Sequence, residues 1–328
     1  MNNIVPEKLK AGDEIRVIAP ATGLKIIGAD CRQIAKERFE AMGLKVSFGK
    51  NTTDDNFDMF GSADVMKRAE DIMDAFEDKN VKAVFTIIGG YNSNQVLPFL
   101  DYELIRQNPK IICGYSDITA LLNGIRAKTG LITFYGPHYS SVGMKKGNEY
   151  TFEMLRQVLF IGNCDWKASA EWSDDLWFID QEKREFIKND GWRIVQPGDA
   201  EGHLEGGNLQ TFMLLNGTPY QQNFAPDTIL VLEDCFVSAV ADAKSFMARL
   251  QSLAQREDFR NVRALIIGRF QKASEVSDEK LAFLIRHIPQ LKGLPVITGA
   301  DFGHTTPIAT LPLGGHCIIR SGQIRIDW

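Results

Sequence analysis

Paired cysteines, basic excess and long apolar runs are all absent from this chain of 328 residues. The five cysteines are odd in number and scattered, and none forms a C-x-x-C pair, which argues against a disulfide framework and a structural zinc site. Cys113, Cys235 and Cys317 fall in or beside apolar, strand-like runs, so we expect them to be small core residues.

The charge balance excludes several classes of partner. The chain has 37 basic and 42 acidic residues and a sequence pI near 5.7, which is a poor basis for binding nucleic acid or an anionic membrane. A small or weakly charged substrate is expected instead. The opening residues lack a basic-then-apolar signal, and no apolar run is long enough to span a bilayer, so we expect a cytoplasmic location.

What the sequence does contain is a regular alternation of strand and helix patterns over its first 137 residues. Near-continuous apolar strands between helices indicate a parallel sheet that is covered on both faces. We therefore predict an α/β fold whose first domain, residues 1–165, is flavodoxin-like or Rossmann-like. In such a sheet, ligands gather beyond the carboxyl ends of the strands. Four predicted strand ends carry breaker-rich sequences and should meet at one edge: APATG, IGGYNSN, CGYSD and YGPHY.

The amino-acid composition changes at the start of the second half. Residues 166–195 hold four of the five tryptophans among many charged residues, and they are predicted to form a loop at the active site. Residues 196–328 then show further strand and helix patterns and a terminal hairpin that turns at Ser321-Gly322. They are predicted to form a mixed α/β domain, with the active site between the two domains.

Ser116 is the first candidate for chemistry. It lies in IICGYSDITALL, at a bend between a predicted strand and a predicted helix, where a side chain is exposed and the next N–H groups point toward its target. The nucleophile elbow of α/β-hydrolases uses G-x-S-x-G, and G-Y-S-D-I lacks the second glycine. The alternative is that Ser116 or Asp117 simply caps the helix.

A nucleophilic serine needs a base, and the base needs a residue that orients it. Among the five histidines, His304 is the most attractive, because PVITGADFGHT predicts a buried strand that ends in a glycine-rich bend. Glu233 ends the apolar run TILVLED, where a carboxylate must be paired or solvated. A solvated strand end is the alternative for Glu233, and His138 could either line the cleft or be structural.

The pair Gly89-Gly90 adds a possible oxyanion hole. Backbone N–H groups approach a substrate closely only where no side chain intervenes. The N–H groups of Gly90 and Asp117 could hold an oxyanion, typically contributing about 3 kcal/mol per donor. The competing interpretation is a phosphate cradle, although neither G-x-G-x-x-G nor G-x-x-x-x-G-K-[ST] is present.

Seven segments, spread over nearly the whole chain, carry a family resemblance: LKAGDEIRVIAPA, IIGGYNSNQVLPFLD, KIICGYSDITALL, TFYGPH, EGHLEGGNLQTFMLLNGTP, ILVLED and GADFGHT. In this order they resemble the LD-carboxypeptidase family of serine peptidases. The resemblance implies a Ser-Glu-His triad of Ser116, Glu233 and His304, split between the two domains, with the oxyanion hole at Gly90 and Asp117. It implies no metal or cofactor, and it suggests a homodimer.

The family has two branches, which differ in substrate. Murein tetrapeptide carboxypeptidases remove a terminal D-alanine from recycled wall peptides, whereas microcin C self-immunity hydrolases cut the amide bond of a peptidyl or aminoacyl nucleotide and so confer antibiotic resistance. The tryptophan-rich stretch resembles the immunity branch, and an indole can stack on a purine. The same tryptophans could instead pack the domain junction. We expect substrate contacts from five residues: Gly89, Tyr115, Trp177, Trp192 and Asn208.

Two rival functions come from other classes. A two-lobed protein with a cleft and glycine-rich strand ends could bind a small ligand without any chemistry. A metal hydrolase that uses His138 and His203 is a more distant alternative, because the spacing of these residues suggests no defined site.

Overall fold

The computed structural model describes residues 3–53, 57–235 and 243–328. Its first half alternates strands and helices as expected. The strands are β1 (Glu14–Ile18), β2 (Lys45–Phe48), β3 (Val81–Thr86), β4 (Ile111–Gly114) and β5 (Thr133–Tyr135). The helices are α1 (Ala29–Ala41), α2 (Val65–Glu77), α3 (Tyr102–Gln107), α4 (Ile118–Thr129), α5 (Tyr139–Val142) and α6 (Glu149–Leu155), which continues as a π-helical turn over Arg156–Ile161.

The second half contributes eleven further strands and three further helices to the described residues. The strands are β6 (Asn163–Trp166), β7 (Glu171–Trp172), β8 (Ile187–Lys188), β9 (Arg193–Gln196), β10 (Ala200–Asn208), β11 (Thr228–Glu233), β12 (Val262–Gly268), β13 (Val296–Ala300), β14 (Leu311–Leu313), β15 (His316–Arg320) and β16 (Gln323–Asp327). The helices are α7 (Leu209–Met213), α8 (Ala243–Ala254) and α9 (Asp278–His287). The predicted beginning of α8, residues 239–242, lies outside the described residues.

The first sheet has the strand order β14-β5-β4-β3-β1-β2, and its five N-terminal strands are parallel. The order 2-1-3-4-5 of those strands is that of flavodoxin-like folds, which confirms the predicted α/β class. Residues on both faces of the central strands are buried, as in Val84 and Phe85 of β3, because helices cover each side.

The second sheet is mixed. Its order is β6-β16-β15-β10-β11-β12-β13-β9, and the four strands β10 to β13 are parallel while the outer strands are antiparallel. The predicted hairpin is present as β15 and β16. Across the parts of the chain that the structure describes, every helix is too short or too polar to traverse a lipid bilayer.

The two halves exchange strands. β14, from the C-terminal half, pairs antiparallel with β5 at the edge of the first sheet, and β6 pairs with β16 at the edge of the second. Each sheet is therefore completed by a strand from beyond the predicted boundary region. The division of the chain at residues 165 and 196 stays a prediction.

The N-terminus of α2 differs from what its sequence suggests. Serine is a common cap, which makes Ser62 a plausible one, but the cap is Asp64, whose carboxylate accepts a hydrogen bond from the N–H of Met66. The Ser62 side chain instead exchanges hydrogen bonds with the side chain of Asn92, at 3.0 and 3.3 Å. Its hydroxyl therefore joins two loops rather than beginning the helix.

Candidate active site

Ser116 occupies the bend between β4 and α4 in a left-handed conformation, with φ of 60°. A residue with a Cβ pays a steric cost there, and such strain often marks functional positions. Neither Ser116 nor Asp117 caps α4 through its side chain, because the helix has no side-chain cap hydrogen bond. The capping alternative was therefore wrong, and the Ser116 hydroxyl is available to another partner.

That partner is His304. Its Nε2 lies 3.0 Å from Ser116 Oγ, and its Nδ1 lies 2.7 Å from Oε2 of Glu233. A continuous row therefore runs from hydroxyl to imidazole to carboxylate. Gly303 allows this approach: it has φ of 98°, and a Cβ built on it would lie 2.5 Å from Glu233 Oε2.

Glu233 ends β11 and is only 1% exposed. Its second oxygen, Oε1, accepts hydrogen bonds from Tyr135 Oη at 2.6 Å and from Asn208 Nδ2 at 3.0 Å. Burial raises the pKa of Glu233, but the charge of His304 and the hydrogen bonds from its neighbours outweigh that effect and lower the pKa overall. The carboxylate is therefore buried, charged and fully paired, so the solvated alternative was wrong.

The neighbours of His304 set both the pKa of its imidazole and the position of the ring. Burial acts to lower its pKa, but the negative charge and hydrogen bond of Glu233, with a contribution from Cys235, raise it well above 6.5. Tyr115 contacts the ring edge-on, with centroids 5.2 Å apart. Burial and the charge of Glu233 raise the pKa of Tyr135 well above 10, so that phenol stays protonated and donates.

Gly89 and Gly90 approach the serine from β3. A Cβ on Gly89 would lie 3.1 Å from Ser116 Oγ and 3.5 Å from the Asp117 nitrogen. Within residues 3–53, 57–235 and 243–328, the Gly90 and Asp117 N–H groups donate no hydrogen bond. Both are therefore free to donate to a ligand at the serine. Their role as an oxyanion hole stays a prediction.

A cleft of about 550 Å³ opens in front of these groups. The cleft is lined by Ser116, His304, Gly89 and Gly90, and also by several large, partly exposed side chains. These are Ile26, Tyr91, Leu176, Trp177 and Phe178. The site therefore combines a polar floor with an aromatic and aliphatic rim.

The tryptophans differ in what they contact. Trp177 lines the cleft, whereas Trp192 does not: its indole N–H donates to Asp301 at 2.9 Å, and its ring packs edge-on against Trp166, centroids 4.9 Å apart. Trp172 lies beneath the guanidinium of Arg269. The prediction of a substrate contact for Trp192 is thus not supported by its position, because the ring is used in packing.

Other predicted residues also have defined surroundings. Tyr115, Gly89 and Asn208 all line the cleft, but the Asn208 amide is used to hold Glu233 and to cap α7. Cys113 and Cys317 are buried core residues as predicted. Cys235 is not: it is partly exposed and lines the cleft.

The histidines of the rival metal hydrolase belong to different parts of the fold. His138 follows β5 and is buried, with Nδ1 2.8 Å from Thr86 Oγ1, while His203 belongs to β10. Among the described residues, no three His, Cys, Asp or Glu side chains converge in a way that could hold a metal ion.

Sequence reasoning missed Tyr135 as a support for Glu233. It lies in TFYGPH, at a strand end that was already placed at the cleft. A tyrosine there could have been identified, because a buried phenol needs a hydrogen-bond partner and the site contained a carboxylate.

Comparisons with known proteins cover both halves. Residues 15–136 match the LD-carboxypeptidase N-terminal domain, and residues 201–319 match the C-terminal domain. The chain is 46% identical to the carboxypeptidase-named protein YocD of Bacillus subtilis, over 97% of both chains. It is 33% identical to the microcin C7 self-immunity protein MccF of Escherichia coli, over 85% of this chain and 84% of that protein.

Solved structures give the same result. An MccF-like protein from Bacillus anthracis superposes with a TM-score of 0.95, at 45% identity over 99% of both chains. MccF in complex with glutamyl sulfamoyl guanosine has a TM-score of 0.87, at 29% identity over 98% of both chains. The matches to both domains, and the identity along the whole chain, show that this protein belongs to the LD-carboxypeptidase family of serine peptidases.

Proposed function

We propose that this enzyme hydrolyses an amide bond by means of Ser116, His304 and Glu233. The observation that carries the proposal is the unbroken row of contacts from Ser116 Oγ through both nitrogens of His304 to Glu233. A protein that only binds a ligand has no need to place a strained serine against an imidazole that is itself held by a buried carboxylate.

In the proposed mechanism, neutral His304 accepts the Ser116 proton while Oγ attacks the substrate carbonyl carbon. Glu233 holds Nδ1–H, fixes the tautomer and stabilises the imidazolium. The N–H groups of Gly90 and Asp117 receive the oxyanion. His304 then gives its proton to the departing amine, and a water molecule, activated in the same way, releases the acyl group from Ser116.

For the substrate, we propose a peptidyl or aminoacyl nucleotide, as in the microcin immunity branch. The support is Trp177, whose indole lines the cleft on a loop that is fixed near His304. Ser173 and Thr306 exchange two backbone hydrogen bonds, at 2.7 and 2.8 Å, which join the loop to the segment that carries the histidine. A flat ring at this position suits a purine, whereas D-alanine offers no flat face.

The test is a side-by-side assay of the purified protein on an aminoacyl sulfamoyl adenosine and on a wall tetrapeptide, with the products identified by mass. We expect the nucleotide conjugate to be cleaved faster, and Trp177→Ala to raise KM for it by about 10- to 100-fold, because stacking contributes about 1–3 kcal/mol. Cleavage of the tetrapeptide alone would instead assign the murein branch. Ser116→Ala controls for contaminating hydrolases.

A homodimer and a cytoplasmic location complete the proposal. Both come from the sequence and its family resemblance, and both stay predictions. Sedimentation equilibrium of the purified chain tests the first, and fractionation of the producing cells tests the second.

A further inference from the structure

Arg68 is a buried cation at the carboxyl edge of the first sheet. It projects from α2, is 2% exposed, and donates to three carbonyl oxygens, those of Ala63 at 2.9 Å, Pro20 at 2.9 Å and Asn92 at 3.1 Å. Among the residues that the structure describes, its fourth hydrogen bond goes to Gln95 Oε1 at 2.7 Å. All four acceptors are uncharged, and burial lowers the pKa of the guanidinium.

The carbonyls of Pro20 and Asn92 belong to the loops that follow β1 and β3, so a single nitrogen of Arg68, Nη1, joins these two loops. Gly90 belongs to the second of these loops, two residues before Asn92. A Cβ on Gly90 would come within 2.8 Å of Ala21 Cβ and 2.9 Å of Thr22 Oγ1, so its backbone is pressed directly against the first loop. Arg68 therefore fixes both sides of the contact that sets the position of Gly90.

The second loop is also joined to the serine bend. Ser93 N–H donates to the Asp117 carboxylate at 2.9 Å, and Ser93 Oγ donates to the Asp117 carbonyl at 2.6 Å. Between Arg68 on one side and Asp117 on the other, the segment 90–93 has little freedom to move. The distance between the N–H groups of Gly90 and Asp117 depends on both attachments.

We propose that Arg68 is a positioning residue for the oxyanion hole, which holds the Gly90 N–H opposite that of Asp117. This inference rests on the proposed function. An arginine suits the task because its planar fork can bond several carbonyls in fixed directions, which the single ammonium of a lysine cannot do. Without the fork, the two loops separate, and the Gly90 donor moves away from the position of the developing oxyanion.

The experiment measures how fast a fluorophosphonate labels Ser116. In that reaction Oγ bonds to phosphorus, fluoride leaves, the serine proton passes to His304, and the phosphonyl oxygen takes the oxyanion position. We expect Arg68→Met to slow labelling by about 10- to 100-fold, because loss of one oxyanion donor typically costs a factor of about 10²–10³. Arg68→Lys should fall between this variant and the wild type.

A matched control comes from Lys110, another buried cation that bonds carbonyl oxygens, those of Ala75 and Asp78. It precedes β4 and so lies at the opposite, amino edge of the same sheet. Lys110→Met should lower the thermal unfolding midpoint while the folded protein is labelled at the wild-type rate. If Arg68→Met does not fold, Gln95→Met frees one arm of the fork with a smaller change and should slow labelling several-fold.

The results distinguish a failure of the positioning role of Arg68 from a failure of the proposed hydrolase function. Equal labelling of the wild type, Arg68→Met and Gln95→Met would overturn the positioning role and leave the serine hydrolase intact. A similar loss in Lys110→Met would also overturn it, because general loosening would then explain the effect. A well-folded wild type that is not labelled at Ser116 would remove the proposed function, and this inference with it. Affinity of Ser116→Ala for an aminoacyl sulfamoyl adenosine should stay unchanged when Arg68→Met is added.

Discussion

Replacing Glu233 with glutamine tests the hydrogen-bond pattern of the site with almost no change in shape. Oε1 of Glu233 faces two donors, Tyr135 Oη and Asn208 Nδ2, while Oε2 faces His304 Nδ1. A glutamine keeps both donors satisfied only if its carbonyl oxygen takes the Oε1 position. The opposite orientation would place its NH₂ group against Asn208 Nδ2, a buried donor that it cannot accept from, and would make the Tyr135 hydroxyl turn its proton away. Leaving one buried donor unpaired costs about 1–3 kcal/mol.

The amide nitrogen of Glu233→Gln is therefore forced against His304 Nδ1. Because the amide donates, Nδ1 must accept, and the ring proton moves to Nε2. In that tautomer Nε2 has no lone pair for the proton of Ser116. We expect kcat/KM to fall by about 10⁴-fold, the size of the effect when the orienting carboxylate of a serine triad becomes an amide.

The pH profile gives a second measurement on Glu233→Gln. In the wild type, Glu233 raises the pKa of His304, and only the neutral ring is active, so the rate rises with pH through that raised value. Without the anion, burial lowers the pKa of His304, and the acid limb of the residual activity should move to lower pH. An unmoved limb, or activity within about ten-fold of the wild type, would refute the reasoning.

A control carboxylate lies outside the site. Glu205 is 1% exposed and forms a bidentate ion pair with Arg126, at 2.6 to 2.9 Å. Glu205→Gln should lower stability, since breaking a buried pair leaves an uncompensated charge, but the folded protein should keep its kcat/KM. An equal loss of activity in this variant would show that the effect of Glu233→Gln is not local.

Three further predictions concern the same region. Ser116→Gly and Ser116→Ala should both be inactive, yet the glycine variant should be more stable by about 1 kcal/mol in urea denaturation, since Ser116 has a positive φ; equal stability would contradict this. Gly90→Ala should slow fluorophosphonate labelling by about 10²-fold, because the new methyl group would displace Gly90 from Ala21; a wild-type rate would argue against the Gly90 donor. Burial and the charge of Glu233 raise the pKa of Asp234 to about 7, so its contribution to stability is present at low pH and lost as pH rises toward 7. Relative to the wild type, Asp234→Asn should therefore gain about 3 kcal/mol of unfolding free energy between pH 5 and pH 8; a constant difference would refute the shift.

The positions of the three central residues could be anticipated from the sequence because each ends an apolar strand or follows its end. Ser116 comes two residues after β4, Glu233 is the last residue of β11, and His304 comes four residues after β13. In parallel sheets such ends meet at one edge, so strand periodicity was enough to place them near one another. The distances between the three side chains, and the close approach of the Gly303 backbone to Glu233, depend on tertiary packing that strand periodicity does not encode.

Other features depend on contacts that no local pattern encodes. Trp177 and Trp192 are equally aromatic in the sequence, but only one faces the cleft, because the other finds a buried acceptor in Asp301. Cys235 follows an apolar strand, yet it lies past the strand's last residue and so escapes the core. Tertiary partners decided each case.

The short strand β14 has a consequence for how the protein unfolds and how it can be divided. It begins seven residues after His304 and pairs with the edge of β5 in the first sheet. The segment from β13 to β14, which contains His304, is therefore anchored in the second sheet at one end and in the first sheet at the other. Neither half can detach without opening the other, and we expect a single cooperative melting transition rather than two. A fragment ending at residue 165 would leave β5 as a bare edge strand, a ready template for aggregation, until a peptide containing Leu311–Leu313 is restored.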